Sequence, residues 1–339
     1  MNKGNNSMSI KSNQQSSSSW TLKLAVAALM GVALNSSVVL AEETAAPPVT
    51  PPIPGIVAGG IELRPFKEGF NGTEGPVALQ DGTLIFTETQ ANRVTKIAAD
   101  GSTSIFIKDS NGANGLGFSA TGELYAAQTI KPSVGIIYPP EKAKVLADQF
   151  EGKPLGRPND LVVDKRGGVY FTDPGVAAKP GEKPATTPAV YYIKPTGELI
   201  RIITDIDRPN GIQLSPDEKV LYVANTAGEY VFAYDVAEDG SIGARRKFAL
   251  LEGFRKTENG PSSGADGLAV DSKGRLYVAT SVGIQIFNDY GVALGIITLP
   301  KAPQNLAFSG PDKKVLYVVG RGSAYKIPVL TAGYAGRAK

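Results

Sequence analysis

The sequence predicts an all-β protein built as a six-bladed β-propeller, and three observations support this prediction. From residue 70 onward, a short alternating apolar run, a turn and a second apolar run recur six times, which is the pattern of a β-hairpin. The copies start about 40 to 55 residues apart, close to the length of a four-stranded propeller blade. The 39 glycines and 24 prolines among 339 residues favour many turns, and no segment has the apolar spacing of three and four typical of a long helix.

Each repeat opens with a polar residue and turns through a cluster of glycine, aspartate and lysine. The opening residues are, in chain order, Glu74, Asn114, Asn159, Asn210, Asp266 and Gln304. In four copies a glycine stands eight residues after the opening residue, at Gly82, Gly122, Gly167 and Gly274. Further alternating stretches, at 93–97, 189–193 and 283–287, predict outer strands of the blades.

The start of the chain predicts export. Residues 1–41 have a polar, lysine-bearing beginning, an apolar run from Leu22 to Leu40, and small residues before Glu42. We predict a signal peptide over 1–41 that is cleaved after Ala41; the alternative is an uncleaved membrane anchor, because the apolar run is just long enough to span a bilayer. A Pro/Ala-rich extended linker over 42–60, the propeller over 61–330 and a C-terminal tail over 331–339 complete the predicted organisation. We expect a periplasmic or secreted protein with no membrane association after cleavage.

The composition excludes several kinds of chemistry. The sequence contains no cysteine and no histidine, so it can form no disulfide, thiolate nucleophile, imidazole base or Cys/His zinc site. Apart from three lysines in the first 41 residues, positive and negative side chains are equal in number. This balance gives no overall charge for binding nucleic acid or anionic lipid. The expected partner is a small-molecule substrate, and any catalysis must use oxygen and nitrogen groups.

The six opening residues predict a metal site. In a propeller the innermost strand of every blade runs along the central channel, so equivalent positions converge on the axis. Two carboxylates, from Glu74 and Asp266, and four amides would then face one another, and their oxygens suit a hard divalent cation. We expect Ca²⁺, with Mg²⁺ or another divalent cation as the alternative. Asparagine and aspartate before glycine are also turn formers, but Glu74 is not, and turns alone do not require a polar residue at every equivalent position.

Four ordered motifs resemble the gluconolactonase and senescence-marker-protein (regucalcin) family of calcium-dependent propeller hydrolases. They are EGP at Glu74, RPNDLVVD with YFTDP within 157–174, RPNGIQLSPDEKVLYVANT from Arg208, and GADGLAVDSKGRLYVAT from Gly264. The resemblance covers roughly residues 70–328. It implies metal ligands at Glu74, Asn210 and Asp266, with Asn159 joining the metal or its bound ligand.

The same resemblance implies a substrate contact by Arg157, with Asn114 and Asn159 lining the substrate cavity; the alternative for Arg157 is a surface charge pair. This chain departs from the family pattern at Gln128 and Thr129, where gluconolactonases often carry a Glu-His pair. The departure weakens a specific assignment to gluconolactone. Related lactonases and streptogramin lyases that use catalytic histidines are excluded by composition.

The expected activity is calcium-dependent hydrolysis of a sugar lactone or a similar small ester. Asp266 is the candidate general base or nucleophile, because it would lie at the metal and face the substrate opening. A carboxylate bound to calcium is a weak base, so Asp160, next to Asn159, is the second catalytic candidate. Two other functions stay open: a non-catalytic binding propeller whose channel is plugged by calcium, and a phosphotriester hydrolase on the same metal.

We expect the mature protein to begin at Glu42 and to show tyrosine fluorescence only, because the single tryptophan, Trp20, leaves with the signal. The intact mass of the exported protein measures this directly. A mature N-terminus well before Glu42, or retention in the membrane fraction, would contradict the prediction.

Overall fold

The computed structural model describes residues 46–176, 186–258, 260–337 and 339. Over these residues the chain forms six four-stranded antiparallel sheets, which confirms the predicted six-bladed β-propeller. The helices described are two single 3-10 turns, Thr89–Ala91 and Pro140–Lys142. No helix in this part of the chain is long and apolar enough to cross a membrane. The export signal predicted for 1–41 lies outside the described residues.

Blades one to three are antiparallel sheets whose strands follow chain order from the channel outward. Blade one contains Thr73–Ala78, Leu84–Glu88, Arg93–Ile97 and Thr103–Lys108; blade two contains Ala113–Phe118, Leu124–Gln128, Ser133–Tyr138 and Lys144–Ala147; blade three contains Leu161–Val163, Val169–Asp173, Ala189–Ile193 and Leu199–Ile203. A two-stranded ribbon, Gln149–Phe150 with Lys153–Pro154, joins blades two and three.

Blades four and five follow the same order, and blade six completes the ring. Blade four contains Pro209–Leu214, Val220–Asn225, Tyr230–Asp235 and Arg246–Leu250; blade five contains Leu268–Val270, Leu276–Thr280, Gly283–Phe287 and Ala293–Ile297; blade six contains Asn305–Ser309, Val315–Gly320, Ser323–Pro328 and Lys67–Glu68. A second ribbon, Arg255–Thr257 with Gly260–Ser262, lies between blades four and five. The predicted outer stretches at 93–97, 189–193 and 283–287 are the third strands of blades one, three and five.

The ring closes in two ways. The inner strand of every blade contacts the inner strand of the next, and the last, Asn305–Ser309, contacts the first, Thr73–Ala78. Blade six takes its outermost strand, Lys67–Glu68, from the sequence before blade one, where it pairs antiparallel with Ser323–Pro328. Because one sheet combines strands from both ends of the propeller, opening the ring requires breaking that sheet.

The core lies between adjacent blades. Residues along a strand alternate between the two sheet faces, and both faces of a blade are covered by a neighbour, so the strands read as nearly continuous apolar runs. Between blades three and four, for example, Tyr170 and Tyr192 stack with their ring centroids 4.2 Å apart, and they pack with Ile212 and Leu221 of the next blade. The tyrosine hydroxyls are satisfied: Tyr192 donates to Asp164 at 2.8 Å and Tyr170 to the Gly240 carbonyl at 2.8 Å.

The region expected to be an extended linker packs onto the propeller over its described part, 46–60. Ile53, Ile56 and Val57 are buried and belong to the core cluster of blades five and six. The carbonyl of Ile56 accepts a hydrogen bond from the Leu330 backbone N–H at 2.8 Å. The structure differs from the expectation because this apolar group interrupts the Pro/Ala-rich sequence and supplies enough surface to bury.

The tail over 331–339 also packs on the propeller, across the face where the first hairpin of each blade turns; we call this the turn face. Its backbone forms hydrogen bonds with the hairpin turns of blades five and six. Arg337 is buried, pairs with Glu218 at 3.0 Å, and donates to the carbonyls of Leu214 and Ser215 at 2.6 and 2.7 Å. Lys339 enters the channel from this side, so the turn-face end of the channel is filled by the chain itself.

Replacing Ile56 with alanine tests whether residues 46–60 are part of the core. Ile56 is fully buried, so Ile56→Ala should lower the free energy of unfolding by about 2–5 kcal/mol. The matched control is Val49→Ala in the same segment, where the side chain is 51% exposed and the cost should stay within about 0.5 kcal/mol. Denaturant unfolding measures both, and equal stability of the two variants would show that the segment does not contribute to the core.

Candidate metal centre and substrate cavity

One cavity of about 1290 Å³ lies at the end of the channel opposite the turn face. The predicted ring residues all line it: Glu74, Asn114, Asn159, Asn210, Asp266 and Gln304. Each stands at or just before the start of an inner strand. The first residues of the six repeats therefore come together in one cavity, which is open to solvent on one side.

Local backbone irregularities present the ring side chains to the cavity. In blades one, two and four, the pairing of the inner strand with the second strand shifts register next to Glu74, Asn114 and Asn210. Such a bulge leaves a residue out of the ladder and re-aims its side chain. In these three blades the pairing of the inner strand is therefore regular toward the turn face and shifts register only beside the cavity.

Glycine follows four of the ring residues because the inner strands approach closely there. A methyl group at Gly211 would lie 2.0 Å from the Asp266 carbonyl oxygen, and one at Gly267 would lie 2.0 Å from Oδ1 of Asn305. Neither glycine has a positive φ, so the Asn-Gly and Asp-Gly pairs reflect contact between blades rather than turn formation. This contact draws the ring residues of adjacent blades together.

Two carboxylates share the cavity floor. Oε1 and Oε2 of Glu74 accept hydrogen bonds from Gln304 Nε2 and Asn305 Nδ2, each at 3.2 Å. The pKa of Glu74 is raised to about 7, mainly by burial; the hydrogen bond from Asn305 acts against this rise, and the negative charge of Asp160 adds to it. Burial also raises the pKa of Asp266 well above its ordinary value, with the charge of Glu74 the next cause. The ionised pair therefore needs positive charge nearby.

Amide oxygens complete the donor set. Within the described chain, Oδ1 of Asn114 and Oδ1 of Asn210 are buried and have no hydrogen-bond partner. Asn210 donates from Nδ2 to Thr226 Oγ1 at 3.1 Å, and this bond leaves its oxygen free. Buried oxygens without donors beside two carboxylates fit a hard cation such as Ca²⁺. Among the described residues, no three His, Cys, Asp or Glu side chains are placed to hold a metal ion together. A cation here would therefore take its further oxygens from the amides.

The two remaining predicted site residues lie in different surroundings. Arg157 lines the cavity with an exposed side chain, and its backbone N–H donates to Asp173 Oδ1 at 2.7 Å. Asp160 does not line the cavity: it is 1% exposed, faces the other end of the channel, and forms an ion pair with Lys339. The structure thus places Asp266 at the cavity and Asp160 behind it.

Two cations near the site, Arg321 and Lys339, were not predicted from the sequence. Arg321 sits in the turn between the second and third strands of blade six with φ +51°, and its backbone N–H donates to Gln304 Oε1 at 2.8 Å. Its positive charge and that of Lys339 both act to lower the pKa of Asp266. Neither residue belongs to a repeat motif, so the repeat pattern carried no signal for them.

The fold and site define a propeller with an oxygen-lined channel centre, and the comparisons identify its family. Residues 72–321 match the family described as SMP-30/Gluconolactonase/LRE-like region. The chain is 30% identical over 285 residues to a gluconolactonase of Zymomonas mobilis, covering 77% of this chain and 79% of that protein. The chain therefore belongs to the SMP-30/gluconolactonase family.

Solved structures agree with this assignment. The structure of a gluconolactonase from Xanthomonas campestris matches with a TM-score of 0.71 at 25% identity, over 83% of this chain and 94% of that chain. A calcium-binding regucalcin from Agrobacterium tumefaciens shares the fold, with a TM-score of 0.67 at 18% identity over 80% of this chain and 95% of that one.

Gly211→Ala tests the close approach of the blades. The added methyl group would collide with the Asp266 backbone, so the variant should lose about 1–3 kcal/mol of stability and bind Ca²⁺ more weakly. Gly243→Ala is the control, since its methyl group would lie at ordinary contact distance, 3.6 Å from Asp235 Cβ. Thermal unfolding with and without Ca²⁺ measures both effects, and wild-type behaviour of Gly211→Ala would refute the packing argument.

Proposed function

We propose that this protein is a calcium-dependent hydrolase of a sugar lactone or a similar small ester, exported to the periplasm or secreted. The observation that carries the proposal is the convergence of two buried carboxylates and amide oxygens without donors in one open cavity. The similarity to a gluconolactonase over 77% of the chain supports lactones as the substrate class.

The proposed ion is held by Glu74, Asn159, Asn210 and Asp266. Two negative charges and neutral oxygens in an open cavity leave room for substrate beside these ligands. When bound, Ca²⁺ supplies Lewis-acid polarisation of a substrate carbonyl. Gln304 and Asn305 keep both Glu74 oxygens in place through their hydrogen bonds.

Asp266 is the proposed reacting carboxylate. Its backbone N–H donates to the Ala279 carbonyl at 2.9 Å, which fixes it at the start of the inner strand of blade five. From the cavity wall its carboxylate can take a proton from the attacking water, or can itself attack the carbonyl carbon. Asp160 is buried behind the site with Lys339, so we assign it a supporting role. Arg157, exposed in the same cavity, is the proposed substrate contact, and Asn114 completes the cavity wall.

Assays of lactone, aryl ester and organophosphate hydrolysis, each with and without chelator, test the proposal. Chelator-sensitive turnover of a lactone supports it. Preferential turnover of the organophosphate would replace it with phosphotriester hydrolysis, and calcium binding without any turnover would indicate a binding propeller.

We expect the carboxylates to act differently. Asp266→Asn keeps the size and one ligand oxygen but removes the charge, so kcat should fall at least 100-fold, or about 2.7 kcal/mol of barrier, with the fold intact. Glu74→Gln should instead weaken calcium affinity, with activity partly restored at high calcium. Asp289→Asn is the control, because Asp289 is exposed and outside the cavity. Near-native turnover by Asp266→Asn at saturating calcium would show that Asp266 is not the reacting group.

Calcium should stabilise the protein measurably. Binding to the folded state alone adds RT ln(1 + [L]/Kd), which is roughly 2.7 kcal/mol at 100 times Kd. We therefore expect chelator to lower the melting temperature and calcium to restore it. An unchanged melting temperature, together with no metal by elemental analysis, would exclude the proposed site.

A further inference from the structure

The arginines of this protein divide into two groups. The chain has twelve, all within the described residues. Eight lie outside the large cavity, and each of these forms an ion pair: Arg64, Arg93, Arg166, Arg201, Arg245, Arg246, Arg275 and Arg337. Four line the cavity, and none of their guanidinium groups has an ion pair or side-chain hydrogen bond with any described residue: Arg157, Arg208, Arg255 and Arg321.

General exposure does not account for this division. The side chain of Arg64 is 66% exposed, and its Nε still forms an ion pair with Oε2 of Glu62 at 2.9 Å. Acidic groups are also within the same cavity, since Asp207 and Glu258 line it, and neither is in an ion pair with a cavity arginine. Within the described parts of the chain, the four guanidinium groups therefore have no ion-pair partner, and all four lie in the large open cavity.

The backbone of each cavity arginine is held in place while its side chain is left free. Backbone N–H groups of Arg157, Arg208 and Arg321 donate to side-chain oxygens of Asp173, Asn225 and Gln304 at 2.7, 3.2 and 2.8 Å. Arg255 is paired with Ser262 in the ribbon between blades four and five. Fixing the backbone lowers the entropy lost when the side chain binds a ligand.

Two further features connect these positions to the site. Arg157 and Arg208 occupy the same place in consecutive blades, each two residues before a ring asparagine and followed by proline, which favours an extended backbone. Arg321 adopts a left-handed φ of +51°, unusual for a residue with a long side chain. Its N–H bond to Gln304, which itself binds Glu74, ties this strained turn to the metal centre.

The charged and aromatic side chains of the cavity wall indicate which chemical class of ligand it binds. Among the described residues of the cavity wall, four positive side chains face two negative ones, once the charges of Glu74 and Asp266 are balanced by a divalent cation. A guanidinium group binds carboxylate and phosphate through two parallel hydrogen bonds, whereas a neutral sugar is more often held by stacking on aromatic rings. Phe70 is the one aromatic side chain among the described residues that line the cavity.

We propose that the substrate is anionic: a lactone or small ester that carries a carboxylate or phosphate group, recognised by Arg157, Arg208, Arg255 and Arg321 while its carbonyl lies at Asp266. This inference rests on the proposed function for the reacting bond. It adds the substrate class and assigns specificity to three arginines beyond Arg157.

Matched substrate pairs test the inference. One pair is γ-butyrolactone-γ-carboxylate and its neutral primary amide; the other is 6-phosphogluconolactone and gluconolactone. We expect kcat/KM to be about tenfold higher or more for the anionic member of at least one pair, and the pair that shows it identifies carboxylate or phosphate. The preference should shrink at about 0.5 M NaCl, because salt screens charges in an open cavity.

Arginine variants show which residues produce the preference for anionic substrates. Arg255→Gln and Arg321→Asn should each reduce the anionic-to-neutral ratio of kcat/KM roughly three- to tenfold. Asparagine is chosen at 321 because it tolerates the left-handed backbone. Arg64→Gln, outside the cavity, should keep the wild-type ratio. A ratio unchanged in both cavity variants would overturn the assignment of these arginines.

A binding measurement separates this inference from the proposed function. Calorimetry with glucose as the neutral ligand, and with glucose 6-phosphate and glucuronate as its anionic counterparts, requires no turnover. At least one of the two anions should bind at least tenfold more tightly than glucose. Equal kcat/KM and equal affinity for neutral and anionic members would overturn the inference while lactone hydrolysis stands. Tighter anionic binding without hydrolysis of any lactone would support the inference and overturn the proposed function.

Discussion

The burial of two negative charges in one cavity is the constraint on which the rest of the site depends. Glu74 and Asp266 come from blades on either side of blade six, and burial raises the pKa of each. Such a pair is stable in its ionised form only when positive charge is supplied nearby. Arg321 and Lys339 supply part of this positive charge, and the amide oxygens without hydrogen-bond partners fit a divalent cation that would supply the remainder.

The channel has two different ends because of how the chain is arranged around it. At the turn face, the tail over 331–339 bonds the hairpin turns, and Lys339 meets Asp160 inside the channel. At the other end, the inner strands begin irregularly and leave a cavity of about 1290 Å³. In the described part of the chain, the polar ring and the arginines without ion pairs therefore lie together at the open end of the channel.

The repeat made the ring predictable from sequence. Equivalent positions in consecutive blades must converge on the axis, so a period of about 40 to 55 residues with a polar first residue was enough to assemble Glu74, Asn210 and Asp266. Three of the third strands were predicted for a different reason, from the local pattern of apolar residues at 93–97, 189–193 and 283–287. These residues are largely buried because a neighbouring blade covers each face of the sheet.

Contacts that depend on the closed ring could not be predicted in this way. Lys339 and Asp160 are 179 residues apart and belong to no shared motif, and Ile56 is buried only because blades five and six present a complementary surface. The unpaired state of the arginines is likewise a property of the whole fold. The sequence shows which side chains are charged, but whether each one forms an ion pair depends on the residues that the fold places next to it.

A crystal structure of the protein grown with calcium tests the proposed metal centre most directly. We predict one ion at the channel axis with oxygen ligands from Glu74, Asn159, Asn210 and Asp266 at about 2.3–2.6 Å. Water alone between these four side chains, or calcium bound only elsewhere on the surface, would contradict this prediction.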